Sequence, residues 1–483
     1  MKIRIETTVE GYRNDIGDVV RLFYGEHAIA DAGQEDAALF HEQVTAGGRF
    51  EERIRFVYQN REKTQVLTGD SSDDALELKR RQKRLIKQAC YSILKEISGR
   101  KPAWGSLTGI RPTRLYYRAL EENRTVCETE AKLAGKYDLS PEKVKLLSEV
   151  VAAQQPYYHP DADQFDLYVG IPFCTTRCTY CSFSSGVIGD GKLVEPYLRS
   201  LEREIDACAG MMREQGLSVS VGYMGGGTPS SLSTRQMDRL LTYIEKRFPA
   251  LTEWTIEAGR PDTLDKEKLS MLKAHPVTRI SINPQTMNDE TLRRIGRAHT
   301  TEDTLAAYET ARECGFDNIN MDLITALPGE TEEMFLGTLE AVRRLAPDSL
   351  TVHTLAIKRS SKLHEQGYKQ QESSAGRMVE AGRQCAHDMG MKAYYLYRQK
   401  YMAANLENVG YALPGKVCRY NIDNMEEITS VLAVGAGSIS KRLLKKDERI
   451  LRVPNVSNIL QYIERTDEMI ERKKQMFGMA CRQ

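Results

Sequence analysis

The chain has 483 residues, 41% of them hydrophobic and 28% charged, with a formal net charge of +1. That length suits roughly two to four domains, and so even a charge balance sets up no global field that would select nucleic acid or a membrane surface. The opening "MKIRIETTVEG" has no apolar core of a secretory signal, and no run approaches the ~20 apolar residues of a membrane span, so a reducing cytoplasm is the expected location.

The first 160 residues are expected to form a separate α+β domain. "MKIRIETT" and "FEERIRFVYQN" read as strands, and "DDALELKRRQKRLIKQACYSILKEISG" reads as a helix whose basic first half suits a solvated face. From about residue 161 to 395 short β-rich runs alternate with stretches of helical period. The runs are "FDLYVGIPF", "SVSVGYM", "EWTIEAG", "RISINPQ", "NINMDLITALP" and "SLTVHTLA". Six strands alternating with helices predict right-handed βαβ units and an α/β parallel sheet or barrel, with ligands collecting at the C-terminal strand ends. Residues 396–483, punctuated by Gly, Pro and aromatic residues, are expected to form a third region.

Polar and special residues do fall at those strand ends: Cys174 after the first run, "GGGTP" after the second, then Glu257, Gln285 and Asp322. Cys174, Cys178 and Cys181 form a C-x₃-C-x₂-C pattern, whereas Cys90, Cys127, Cys208, Cys314, Cys385, Cys418 and Cys481 are scattered and expected to be mostly buried. In a reducing compartment clustered thiols suit a metal. One reading is structural zinc completed by a histidine such as His159, but zinc knuckles come in pairs and no second one is present. The other is a [4Fe–4S] cluster with one iron left open for a ligand. "YMGGGTPS" (Tyr223–Ser230) lets a ligand approach the backbone closely, and its N–H groups suit a carboxylate. It equally suits a tight turn before a helix, capped by Ser230 or Ser231.

The cysteine spacing resembles that of the radical S-adenosylmethionine (radical SAM) superfamily. The ordered set "YVGIPFC", "GGGTPS", "IEA", "NPQTMNDETLRRIGRAHT" and "DLITALPGET" resembles its oxygen-independent coproporphyrinogen III oxidase family. "GYALPGKVCRYNI" resembles the family's YAxPGxxCxHN segment and "LAVGAGSIS" its late Gly-rich strand. "WGSLTGIRPTRLYY" resembles the long-chain HemZ-type branch alone.

The resemblance implies a partial (β/α)6 TIM-like barrel carrying an N-terminal α+β domain and a C-terminal α/β extension. It also implies a [4Fe–4S] cluster on Cys174, Cys178 and Cys181 and bound S-adenosylmethionine. The superfamily cleaves that cofactor to a 5′-deoxyadenosyl radical, which abstracts a substrate hydrogen. Gly226 and Gly227 would meet the methionine moiety, and Glu257, Gln285, Arg297 and Asp322 would contact the rest of the cofactor. Tyr168 would be the catalytic position. The plain alternatives are a solvated helix residue for Arg297 and a structural strand carboxylate for Asp322, although an unpartnered carboxylate in an apolar strand is costly.

The implied activity is oxidative decarboxylation of coproporphyrinogen III to protoporphyrinogen IX in porphyrin and haem biosynthesis. The implied electron source is a small protein such as flavodoxin or ferredoxin. Two positions depart from the pattern. Phe183 stands where the decarboxylases have a cysteine, and Gly170 where they have a histidine. Phe183 is instead like the haem-chaperone relatives, so a haem-trafficking role, or radical chemistry on another tetrapyrrole, is the alternative. His353, Tyr411 and Cys418 would then be candidate haem ligands. Four carboxylates on the substrate call for arginines, and Arg111, Arg114, Arg359 and Arg398 are available.

Overall fold

The structure, a computed structural model, describes residues 1–25, 28–109, 111–122, 125–369, 374–444 and 449–480. Cys481, and Ile110 within the "LTGIRPT" stretch, lie outside them. The chain forms two compact units, residues 1–148 with 404–406, and 149–403 with 407–483.

The first unit is built on a five-stranded sheet: β1 (Ile3–Thr7), β2 (Ile29–Ala30), β3 (Ala37–Ala46), β4 (Arg49–Tyr58) and β5 (Arg61–Asp70), in the order 2-1-3-4-5. Helices α1 (Arg13–Tyr24) and α2 (Ala75–Ser98) share a core with it around Ile5, Val20, Phe23, Leu39, Phe56, Ile86 and Leu94. α3 (Thr113–Glu121) and α4 (Val126–Tyr137) follow, and the unit boundary falls inside α5 (Pro141–Gln154). The basic half of α2 is paired at home: Lys83 and Lys87 each meet Asp15 at 2.8 Å.

The second unit holds the six sequence-predicted strands in sequential, parallel order. They are β6 (Asp161–Ile171), β9 (Val219–Gly226), β10 (Glu253–Glu257), β11 (Arg279–Ser281), β12 (Ile319–Thr325) and β13 (Ser349–Thr354). Between β6 and β9 come the ribbon β7 (Phe173–Cys174) and β8 (Gly186–Val187) and helix α6 (Val194–Glu214). The other crossovers use α7 (Thr234–Arg247), α8 (Lys266–Ala274), α9 (Asp289–Arg294), α10 (Thr301–Glu313) and α11 (Glu332–Leu345). Several of these helices start where the sequence supplies a cap, as Ser233 does for α7, Thr300 for α10 and Thr331 for α11, each bonding a backbone N–H three residues on. The α7 cap is thus Ser233, not Ser230 or Ser231, because Pro229–Ser231 forms a separate short 3-10 turn.

Past β13 come α12 (Lys362–Glu365), α13 (Ala375–Asp388), β14 (Lys392–Tyr397), β15 (Asn408–Ala412), α14 (Arg419–Glu426), β16 (Thr429–Val434), β17 (Ile439–Leu443), β18 (Ile450–Pro454), α15 (Ile459–Glu464) and α16 (Thr466–Ala480). Its strands extend both edges of the same sheet. β15 runs antiparallel beside β13, and β16 parallel beside β6, giving an eleven-stranded sheet. No pairing among the described residues joins the two edges. Side chains alternate across each strand, so one face of β9 to β13 presents Tyr223, Glu257, Ser281, Asn320, Asp322, Thr351 and His353 to a single cavity.

Candidate functional site

A cavity of about 360 Å³ opens at the C-terminal ends of these strands. Cys174, Cys178, Cys181, Gly226, Gly227, Glu257, Gln285, Arg297 and Asp322 all line it; Tyr168 does not. The cysteine loop follows directly on β6 and β7. Cys178 is buried, and Cys174 and Cys181 are half-buried. The Thr228 hydroxyl lies 3.5 Å from the Cys174 sulfur, and Arg260 Nη1 lies 3.9 Å from that of Cys178. Burial pushes the Cys181 thiol up to about 11, an environment in which a thiolate needs a cation.

Among the described residues no three His, Cys, Asp or Glu side chains gather as closely as one ion needs. A four-iron cluster is wider than an ion and seats its thiolates farther apart. The scattered cysteines behave mostly as expected: Cys90, Cys208, Cys385 and Cys418 are buried, Cys314 is half-buried and Cys127 exposed.

At the end of β9 the glycines are required by close approach. A β-carbon on Gly227 would stand 2.5 Å from the Phe173 carbonyl oxygen, and one on Gly225 would stand 2.9 Å from the Glu257 carboxylate. The Gly227 N–H donates to the Ile171 carbonyl at 2.7 Å, and the Gly226 N–H bonds Glu257. These two N–H groups therefore do not await a ligand carboxylate, in contrast to the sequence expectation.

Glu257 accepts a 2.5 Å hydrogen bond from the Tyr223 hydroxyl. Burial raises its carboxyl to about 7, with nearby Asp322 adding to the shift and the Tyr223 and Gly226 bonds opposing it. Asp322 is equally enclosed, yet its carboxyl ends below the usual range. Burial works to raise it and is outweighed by His353, whose Nε2 is 3.6 Å from Oδ2, and by Asn320, which donates to Oδ1 at 2.7 Å. Gln285 sits at φ +68°, its N–H donating to the Asp322 carbonyl at 2.9 Å. Its side-chain oxygen and that of Asn283 are buried with no partner, so the cavity offers polar atoms that a ligand would satisfy.

Arg297 is not a solvated helix residue. It is 7% exposed and donates to the carbonyls of Gly259 and Asn283 at 2.8 and 2.7 Å and to the Tyr180 hydroxyl at 3.2 Å. Tyr168 stacks with Tyr223 and Tyr420 at 6.3 and 6.1 Å, and Tyr420 stands where the family segment has histidine. At Gly170 a β-carbon would press on the carbonyls of Val434 and Ala436 at 3.3 and 3.4 Å, so the histidine of the family pattern would crowd this strand end.

His353 lines the cavity, whereas Tyr411 and Cys418 lie in the core outside it. Of the candidate arginines, Arg359 and Arg398 do not line it and Arg111 and Arg114 belong to the first unit. The cationic lining comes from Arg177, Arg260, Arg279, Arg297 and Lys358. The sequence assigns no role to Tyr223, which opens the glycine-run stretch, or to Asn320, although they share a strand face with Gly225 and Asp322 respectively, two residues on.

The radical SAM superfamily model matches residues 168–342. The oxygen-independent coproporphyrinogen-III oxidase-like protein HemZ of Bacillus subtilis is 35% identical, over 99% of this chain and 100% of its own length. The haem chaperone HemW of Escherichia coli is 30% identical over 59% of this chain and 72% of its own length. Among solved structures, the coproporphyrinogen III oxidase HemN of Escherichia coli, described as a radical SAM enzyme, superposes with TM-score 0.52 at 26% identity. That superposition covers 66% of this chain and 72% of HemN.

Proposed function

We propose a reaction for this chain, which belongs to the radical SAM superfamily and, within it, to the family of the coproporphyrinogen-III oxidase-like protein HemZ: oxidative decarboxylation of coproporphyrinogen III to protoporphyrinogen IX. The superfamily's [4Fe–4S] cluster and S-adenosylmethionine, when bound, supply a carbon radical able to take hydrogen from an unactivated carbon. The observation that carries the reading is the convergence in one cavity of three thiols, a row of polar strand-end groups and several cations.

Cys174, Cys178 and Cys181 would hold the cluster, with Thr228 and Arg260 beside their sulfurs. Glu257, Gln285 and Asp322 would hold the charged and hydroxylated parts of the cofactor. Arg297, already bonded to two strand-end carbonyls, keeps those loops in place. Positioning carries much of the rate of such a reaction, because a radical takes the nearest suitable hydrogen. In the proposed reaction hydrogen leaves the β-carbon of a propionate arm, and loss of carbon dioxide and one electron to an acceptor gives a vinyl group. The electron that starts each turnover would come from a small protein such as flavodoxin or ferredoxin.

Phe183 in place of the decarboxylases' cysteine favours the second reading, a haem-binding protein related to the chaperones. Anaerobic incubation of reduced protein with S-adenosylmethionine and coproporphyrinogen III separates the two. The decarboxylase yields protoporphyrinogen IX, with carbon dioxide and 5′-deoxyadenosine rising together. Slow 5′-deoxyadenosine without carbon dioxide, together with tight haem binding, would overturn it in favour of the second.

A further inference from the structure

Phe183 is the most exposed large hydrophobic side chain among the described residues, at 69%, and it stands on the wall of the cavity that holds the cysteines. A single exposed apolar residue on a convex surface needs no explanation. An aromatic ring left in water on a cavity wall forgoes roughly 25 cal/mol for each Å² it could bury.

Two cations line the same end. Arg177 belongs to the cysteine loop, and Lys358 to the segment that follows β13. Neither has a carboxylate within 4.0 Å among the described residues. Arg239, Arg247, Arg260 and Arg294 in the same unit are each paired with one. Lys358 is half-buried. No carboxylate among the described residues claims either charge, so both are available to carboxylates carried by a ligand.

The arrangement is built. Arg177 Nη2 donates to the Ser360 carbonyl at 2.9 Å, the Ser360 hydroxyl to the Ser182 carbonyl at 3.1 Å, and the Leu363 N–H to the Thr179 carbonyl at 3.0 Å. The segment bearing Lys358 is thereby pinned to the loop bearing Arg177 and Phe183. A cavity of about 360 Å³ lies at the lower end of the range for one drug-sized ligand and leaves no room for two. With S-adenosylmethionine inside, a macrocycle must stand at the mouth.

We propose that this mouth seats the body of an apolar macrocycle bearing carboxylate arms, with Phe183 packing on the ring and Lys358 and Arg177 receiving carboxylates. It rests on the tetrapyrrole reading and names the residues that would recognise such a ligand. Lysine and arginine give charge-assisted bonds to carboxylates, and an ester would lose them.

The test is binding without turnover. Coproporphyrin III, a fluorescent tetracarboxylate, and its tetramethyl ester are titrated into the full chain carrying its cluster. The acid is expected to bind at least tenfold more tightly than the ester. Lys358→Gln and Phe183→Ala should each weaken the acid by about fivefold or more, with iron content and melting temperature unchanged. Only Phe183→Ala should weaken the ester. Equal binding of acid and ester, or variants within twofold of the parent, would overturn the proposal. So would variants that bind normally but are reduced more slowly by an acidic electron carrier, since the patch would then be a protein docking site. The dependence on Lys358 and Phe183 can hold while no carbon dioxide is released, in which case the decarboxylase reading fails and this seat stands. Turnover with variants that bind and react normally would be the reverse.

Discussion

Two buried carboxylates in the second unit are treated in opposite ways. Glu204, on α6, has every acceptor position used. Lys473 Nζ and Asn455 Nδ2 reach one oxygen at 2.6 and 2.8 Å, and the Tyr462 hydroxyl and Gly435 N–H reach the other at 2.6 and 2.8 Å. Both members of the Glu204–Lys473 pair are fully enclosed. Glu257, at the end of β10, has among the described residues only the Tyr223 and Gly226 donors, with Asp322 nearby and the unpartnered oxygens of Asn283 and Gln285 lining or facing the same space. A saturated network fastens α16 and the Gly435 turn to α6 and has nothing left to offer a ligand. An unsaturated one is a cost to the empty protein that a ligand removes. Scaffold and site are therefore separable by counting donors, and experiments can break that separation.

The sharpest break is at the cysteine loop. Cys174→Ala, Cys178→Ala or Cys181→Ala should each abolish the anaerobic [4Fe–4S] cluster, read by iron content and visible absorption. Cys314→Ala and Cys385→Ala should retain it. Stoichiometric zinc without iron after reconstitution would end this assignment. The next break is in the scaffold. Lys473→Met leaves Glu204 buried without its cation, which costs about 3–5 kcal/mol. That should lower the unfolding midpoint by on the order of 10 °C. Glu204→Gln added to Lys473→Met should recover much of it. A melt unchanged by Lys473→Met would show that the network is not structural.

What the sequence disclosed follows the same division. The cysteine triplet and the glycine run are local, so each is visible as a string, and the six strands of the core stand where β-rich runs alternate with helical ones. "RISINPQ" is shorter as a strand than it reads: β11 stops at Ser281, Pro284 has no N–H to give, and Gln285 turns to positive φ. In the first unit β1 and β4 were legible, while β5, with no buried residue in "REKTQVLTGD", carries no apolar signal of its own. Tyr223 against Glu257 is a contact between strands and Tyr420 on Tyr168 one from α14, so no spacing within one segment encodes them; Asn320 against Asp322 is an i, i+2 pair on β12, visible only once the strand face is known. Lys473 meets Glu204 across 269 positions of chain, which only the fold can bring together.

A smaller effect is expected inside the site. Asp322→Ala should weaken S-adenosylmethionine binding about tenfold, or ~1.4 kcal/mol, with the cluster and the melting temperature retained. Calorimetry giving an unchanged affinity would return Asp322 to the scaffold class.

The smallest effect, a dependence on pH, is the most specific to the unsaturated carboxylate. With its carboxyl raised from about 4.5 to about 7, Glu257 holds a proton more tightly in the folded protein than in the unfolded chain. Its contribution to stability is therefore complete below pH 4.5 and is lost as pH rises through 7. Binding of S-adenosylmethionine, which brings positive charge, runs the other way, because it favours the ionised carboxylate. Affinity should accordingly rise several-fold between pH 6 and pH 8. The groups facing Glu257 are Asp322, His353, Tyr223, Tyr168, Tyr397 and Tyr420. The carboxyl of Asp322 is held below its usual range and burial holds the four tyrosine hydroxyls above theirs, so none of these five titrates in that window. Substitution separates Glu257 from its neighbour His353. Glu257→Gln should flatten the profile, whereas His353→Asn should keep its rise. A profile that survives Glu257→Gln and disappears in His353→Asn would place the titrating proton on the histidine and leave Glu257 as a fixed hydrogen-bond partner of Tyr223.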